Sequence, residues 1–246
     1  RNASRDSDDL LTLPSRDTIM RRINAVHTKT RIEAQQGRVA AAKATAQAGM
    51  TPYPNRLLAQ VEIDHTKLPV IAIDEEDNLP LGYGWYTSVL DRASRFPLGA
   101  FIGFEHPSYM SVMQVLYHAI LPKPDVREKY DVEHTWLGYG IPAEIIVDNG
   151  REFIGNDLRQ ACLELGITLT QAPVGCPAFK GGVERIFRTF KGDLFHNLDG
   201  RKAADWGLKD PDSIETACLS LNEIDEILNI YTLDIYAERF HRGLGD

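Results

Sequence analysis

Three carboxylates in this chain occupy positions from which they could work together. Asp64 ends the run Val61-Glu62-Ile63, and Asp148 ends the apolar run Ile145-Ile146-Val147. Glu184 follows 36 positions after Asp148, inside "GGVERIFRTFK". Acids so placed suit phosphodiester chemistry. In-line attack builds charge on the entering and leaving oxygens, and two divalent ions about 3.5–4 Å apart stabilise both. Magnesium takes hard oxygen ligands, usually few carboxylates together with water and substrate phosphate. Three acids gathered without a cation would repel one another.

The residues alone leave other readings open. Asp148-Asn149-Gly150 is good turn chemistry at a strand end. Asp74 and Asp91 also end strand-like runs. Glu184 and Arg188 form an i,i+4 pair, worth about 0.2–0.5 kcal/mol on a solvated helix face.

The elements that must position these acids can be read from periodicity. In "LAQVEIDHT", Ala59, Val61 and Ile63 alternate with Gln60, Glu62 and Asp64, as in a half-buried strand with one polar face. "GWYTSVLD" and "PLGAFIGFE" read as two further strands, and "SYMSVMQVLYHAIL" as a helix. "AEIIVD" is a short apolar strand, "NDLRQACLELG" a helix, "ITLTQAP" a strand and "GGVERIFRTFKGDLF" a helix. A long helix or helix pair is predicted over 213–240. On the helix of Glu184, Val183, Ile186, Phe187, Phe190 and Leu194 fall on one side at about 100° per residue. Glu184, Arg188 and Lys191 share another edge. Three neighbouring strands followed by alternating helices and strands predict an α/β mixed sheet covered by helices.

Residues 1–50 differ in character. They carry nine Lys or Arg against five acids, whereas the rest carries eighteen against thirty, giving −8 overall. A basic arm ahead of an acidic body suits a protein that grips polyanions locally and gathers carboxylates for metal. Ser15 is an N-cap candidate for a helix over 15–25, and 31–50 reads as an exposed helix or linker rich in Ala and Gln. The expected division is 1–50, the helical tail of an upstream DNA-binding domain plus linker, and 51–246, the catalytic domain. Three scattered cysteines without a C-x-x-C pair argue for a reducing compartment, and no apolar run reaches the length of a membrane span. Absence of an initial Met suggests a fragment.

Taken together, "VEIDHT", "IIVDNGREF" and "KGGVERIFRTFK" resemble the DDE transposase and retroviral integrase superfamily. Within it the chain looks most like the Mu-type branch, the TnsB/TniA-like bacterial transposases. The long gap between the first two acids, the basic helix ahead of the core and the terminal "YTLDIYAERFHRGLGD" favour that branch. The resemblance implies an RNase H-like mixed sheet flanked by helices, preceded by the helical tail. It implies two Mg2+ ions, with Mn2+ as a substitute, held by Asp64, Asp148 and Glu184. It also implies cleavage at transposon ends, transfer of the 3′-OH ends into target DNA, and no covalent protein–DNA intermediate.

Arg188, Lys191, Lys180 and Asn149 are then candidate DNA contacts, with Arg21 and Arg22 on the arm. By the same resemblance the partners are DNA, further copies of the chain on paired ends and an AAA+ ATPase, in a bacterial, nucleoid-associated cytoplasmic setting. His65 is expected to pack or hydrogen-bond on the strand face opposite Asp64. Thr66 is a candidate near phosphate, and Glu152 is expected to hold Arg151 or water rather than metal. Two rival readings remain: a retroelement integrase of the same fold, and an inactive transposase-derived DNA-binding or assembly protein.

Overall fold

A computed structural model describes residues 14–26, 28–37, 54–172, 181–198 and 214–241. The chain divides into two units, residues 1–50 with 174–176, and 51–173 with 177–246.

The first unit contains helices α1 (Arg16–Ala25) and α2 (Thr28–Gln36). Ser15 caps α1 by accepting a hydrogen bond from the Thr18 amide at 3.2 Å. Ile19, Met20 and Ile23 all remain exposed, and α1 has no buried residue among those described. The Ala-rich stretch after Gly37 lies outside the described residues.

The second unit is built on a mixed six-stranded sheet flanked by helices, the architecture expected of an RNase H-like core. Strands β1 (Val61–Ile73), β2 (Pro80–Asp91) and β3 (Pro97–Gly103) form an antiparallel meander. On the other side of β1, β4 (Glu144–Val147) and β5 (Thr168–Gln171) add in parallel, giving the order β3-β2-β1-β4-β5. A short β6 (Leu219–Ser220) pairs with the far end of β1.

β1 continues beyond the expected stop at Thr66. Its pairing with β2 shifts register between Lys67 and Ile71, around Pro69. Proline has no N–H for a ladder, and a bulge accommodates that loss without ending the strand.

Helices α3 (Tyr109–Ile120), α4 (Val126–Tyr130), α5 (Arg151–Ile154), α6 (Asn156–Glu164), α7 (Gly181–Thr189) and α8 (Leu221–Ile230) complete the unit. Two apolar clusters follow from strand alternation. Val61, Ile63, Ile145 and Val147 pack with Val112, Val115, Phe153 and Leu158 from α3, α5 and α6. Leu68, Val70, Tyr86 and Leu90 pack with Val183, Ile186, Phe187, Ile224 and Leu228 from α7 and α8. α3 lies so close to β3 that a Cβ on Gly99 would stand 2.8 Å from both the Val115 carbonyl oxygen and the Ala119 nitrogen.

The long helix or helix pair predicted over 213–240 is one helical stretch that begins later, at Leu221, behind a turn and a short strand. Ile214–Thr216 is a turn, β6 follows, and α8 starts only at Leu221 behind a Ser220/Glu223 capping box. α8 runs into a π-helical stretch, Tyr231–Tyr236, and α7 likewise runs into one, Phe190–Leu194. The two stretches face each other. Phe190 stands 5.4 Å from Tyr231 and 6.0 Å from Tyr236 between ring centroids. Tyr231 donates to Asp193 at 3.0 Å, and Arg239 pairs with the same carboxylate.

His118 on α3 makes part of this fold pH-sensitive. The Ala100 amide donates to its Nδ1 at 3.0 Å, and Trp136 sits edge-on at 4.9 Å. Burial, then the charges of Lys123 and Lys129, pull its pKa down to about 4. The unfolded chain, with an ordinary value near 6.5, takes up this proton first. His118 therefore contributes stability that is complete above about pH 6.5 and is lost as pH falls toward 4. Between pH 7.5 and 4.5 the native chain should lose about 2–3 kcal/mol more than His118→Gln, at 1.36 kcal/mol per unit. Urea unfolding of both proteins at the two pH values measures this; equal losses would refute it.

Candidate active site

Asp64 lies on β1 opposite Ser88 of β2. In the parallel pairing of β1 with β4, Glu62 stands opposite Ile146. Asp64 and Asp148 each come two residues later, Asp148 one position past the end of β4, so the register continued by two residues sets them side by side. Strand alternation puts them on the same face as Glu62. That is the face that α7 covers, because the Val183 amide donates to Glu62 Oε2 at 2.8 Å. Both aspartates are half-buried. Oδ1 of Asp64 accepts the His65 amide and Oδ1 of Asp148 accepts the Gly150 amide, each at 2.9 Å. These bonds help to orient the two carboxylates.

Glu184 sits in the first turn of α7 and is exposed. Arg188 and Lys191 are exposed beyond it, while Val183, Ile186, Phe187 and Phe190 are buried, as the helical angles predict. Among the described residues, no three His, Cys, Asp or Glu side chains stand close enough together to hold an ion. The structure thus sets Asp64 and Asp148 side by side and does not gather Glu184 with them into such a group.

The competing aspartates have structural work. Asp91 is buried, accepts the Leu58 amide at 2.9 Å through Oδ1, and takes both the Ser94 amide and hydroxyl at 2.7 Å through Oδ2. Asp74 organises the β1–β2 turn by accepting the Glu76 amide at 2.8 Å.

His65 behaves as expected of the opposite strand face. Its Nδ1 shares a hydrogen bond with Thr87 Oγ1 at 2.8 Å, and its ring stacks on Phe153 at 5.1 Å. Glu152 turns toward His65 Nε2, 3.8 Å away. It also folds over Gly150, where any Cβ would meet its Oε1 at 2.1 Å. Asn149 is exposed, and its amide donates to the Ala172 carbonyl at 3.1 Å, tying the Asp148 turn to the end of β5. Arg21 and Arg22 are exposed on α1, in the other unit. Lys180 lies outside the described residues.

Glu62, one of the polar residues of the strand read as half-buried, is only 1% exposed. Its carboxylate Oε1 stands 3.2 Å from Nε of Arg92, which is 2% exposed. A lone alternating strand carries no information about what covers its polar face; here α7 does. The available signal was the spacing itself, since Glu62 is two residues from Asp64 and must share its face.

The model of one protein family, the TnsB C-terminal domain, matches residues 62–200, more than half of the chain. The chain belongs to this family. The match spans Asp64, Asp148 and Glu184. Among curated relatives of this TnsB-type chain, the transposase for transposon Tn552 of Staphylococcus aureus is 25% identical over 74% of it. The Tn7 transposition protein TnsB of Escherichia coli is 29% identical over 55% of it. The chain spans only 35% and 20% of these two relatives. Among solved structures, a simian T-cell lymphotropic virus intasome bound to the PP2A regulatory subunit B56 gamma aligns over 91% of this chain and 66% of its own. That alignment has 16% identity and a TM-score of 0.47. The BIV integrase catalytic core aligns over 75% and 88%, at 16% identity and a TM-score of 0.41. These superpositions are loose, and the family assignment rests on the sequence match.

Proposed function

We propose that this chain is the catalytic core of a DDE transposase, which cuts at transposon ends and joins the freed 3′-OH ends to target DNA. The observation that supports the reading is the parallel pairing of β1 with β4, which carries Asp64 on one strand and Asp148 just past the end of its neighbour, on the side where α7 begins. All three side chains offer hard oxygen donors, which fit Mg2+ or Mn2+. Asp64 and Asp148 would hold the ions from the sheet, and Glu184 would complete the set from α7. When bound, the pair of ions stabilises charge on the entering and leaving oxygens.

The chain's own residues orient and bind. The His65 and Gly150 amides fix the two aspartates, and Asn149 braces the turn. Arg188 and Lys191, exposed on the edge of Glu184, would meet DNA phosphates, which sets register without reading sequence. Lys180 and, from the arm, Arg21 and Arg22 belong to the same proposal, as does a 1–50 tail that leads from an upstream DNA-binding domain. So do assembly of several copies on paired ends, an AAA+ ATPase partner and a bacterial nucleoid setting. Among the described residues, no helix is long and apolar enough to cross a membrane.

The test uses a protein containing this core, labelled transposon-end DNA and a target plasmid. Joined products are expected with Mg2+ or Mn2+ and none with EDTA. End binding without joining under any metal would instead support an inactive assembly protein.

A further inference from the structure

A single polar chain links the elements that carry all three acids. It starts on β5, where the Thr170 hydroxyl donates to Glu144 Oε1 of β4 at 2.6 Å. Gln60, just before β1, donates through Nε2 to Glu144 Oε2 at 2.8 Å. Arg92, just after β2, donates through Nη1 to Gln60 Oε1 at 3.2 Å, and its amide donates to the Gln60 carbonyl at 3.0 Å. Its Nε stands 3.2 Å from Glu62 Oε1. The chain ends where Glu62 Oε2 receives the Val183 amide at 2.8 Å, one residue before Glu184.

We propose that Glu62 and Arg92 are positioning residues that set the first turn of α7, and hence Glu184, against the strands of Asp64 and Asp148. The proposal rests on the reading of those three acids as metal-holding residues.

Packing alone does not explain this arrangement. Apolar residues of similar volume fill such a space at no cost to stability, and often stabilise it. What an apolar pair lacks is direction. A carboxylate forked between a guanidinium and a backbone amide fixes where the helix begins. The amide belongs to the first turn, where N–H groups have no partner within the helix and the helix dipole favours a negative charge. Gly182 makes room for the contact, because a Cβ there would stand 2.9 Å from Glu62 Oε2. Glu62 reaches the site two residues from Asp64 on the same strand face, so the strand that carries the first acid also anchors the helix that carries the third.

The experiment compares the unsubstituted protein with Glu62→Gln, Glu62→Asp and Gly182→Ala. Gln keeps the shape and removes the negative charge that stands beside Arg92. Asp keeps the charge and is one methylene too short to reach the guanidinium and the amide together. Gly182→Ala leaves both partners in place and pushes the helix off the carboxylate, which keeps the test open should a Glu62 variant fail to fold. Two readouts need no turnover: Mn2+ affinity by calorimetry, and amide hydrogen exchange at Val183 and Glu184.

Groups that orient metal ligands typically cost 10–100-fold in metal affinity or activity when changed. Folded variants should therefore bind Mn2+ about 10–100-fold more weakly and exchange faster at the start of α7. Folded variants with unchanged Mn2+ affinity, while the unsubstituted protein binds the ion, would overturn the positioning role alone. If the unsubstituted protein binds no Mn2+ at all, the metal reading falls and this proposal falls with it.

Discussion

Asp148→Asn should abolish end joining while leaving the fold intact. The substitution keeps the shape of the side chain and an oxygen that can still accept the Gly150 amide, now held at 2.9 Å. It removes the negative charge. A divalent ion acting on phosphoryl oxygens contributes several kcal/mol to the transition state. At 1.36 kcal/mol per tenfold, about 4 kcal/mol corresponds to a rate loss of about a thousandfold. Stability should change little, since the substitution keeps the shape of the side chain and its bond to the Gly150 amide. Joined products and a urea melt from one preparation give both answers. Joining within tenfold of the unsubstituted protein would remove Asp148 from the proposed site.

Phe190→Ala should cost about 3–5 kcal/mol, the range for truncating a buried phenylalanine. Phe190 is 2% exposed, at the junction where α7 passes from α to π geometry. Its ring meets Tyr86 of β2 at 5.9 Å and both tyrosines of the facing π stretch. A domain of ordinary stability, about 5–15 kcal/mol, would lose a large fraction of it. The midpoint of urea unfolding should fall accordingly. A shift equivalent to less than about 1 kcal/mol would mean that the tyrosines collapse into the space, against the close packing expected of protein interiors.

Much of this fold was legible because period and length agree. Ile145-Ile146-Val147 is too short for a helix and too apolar for a surface, and it is the buried β4. The stripe Val183, Ile186, Phe187, Phe190 is buried as spaced. Other features depend on partners distant in sequence. Residues 67–73 continue β1 past a proline because β2 and β6 pair with them. The terminal helical stretch begins only at Leu221 because β1 recruits Leu219 and Ser220. The site divides in the same way. Strand-tip aspartates could be picked out, yet choosing among Asp64, Asp74, Asp91 and Asp148 from residues alone was not possible. The proposal of Asp64 and Asp148 draws instead on the pairing of β1 with β4, a long-range contact. Glu62 stayed hidden because its contacts with Arg92 and the Val183 amide are ones that no local pattern announces.

The parallel pairing of β1 with β4 has a consequence for the birth of the chain. Val61 must wait for Ile145, 84 positions later, before that side of the strand is covered. At synthesis rates of about 5–20 residues per second, the wait lasts roughly 4 to 17 s. Throughout it, β1 can already pair with β2 while its other edge lies open, and an open apolar edge invites stray strands from other chains. Glu62 and Asp64 put two negative charges on that edge. The same carboxylates proposed to serve the finished protein would thus discourage wrong pairing in the nascent one.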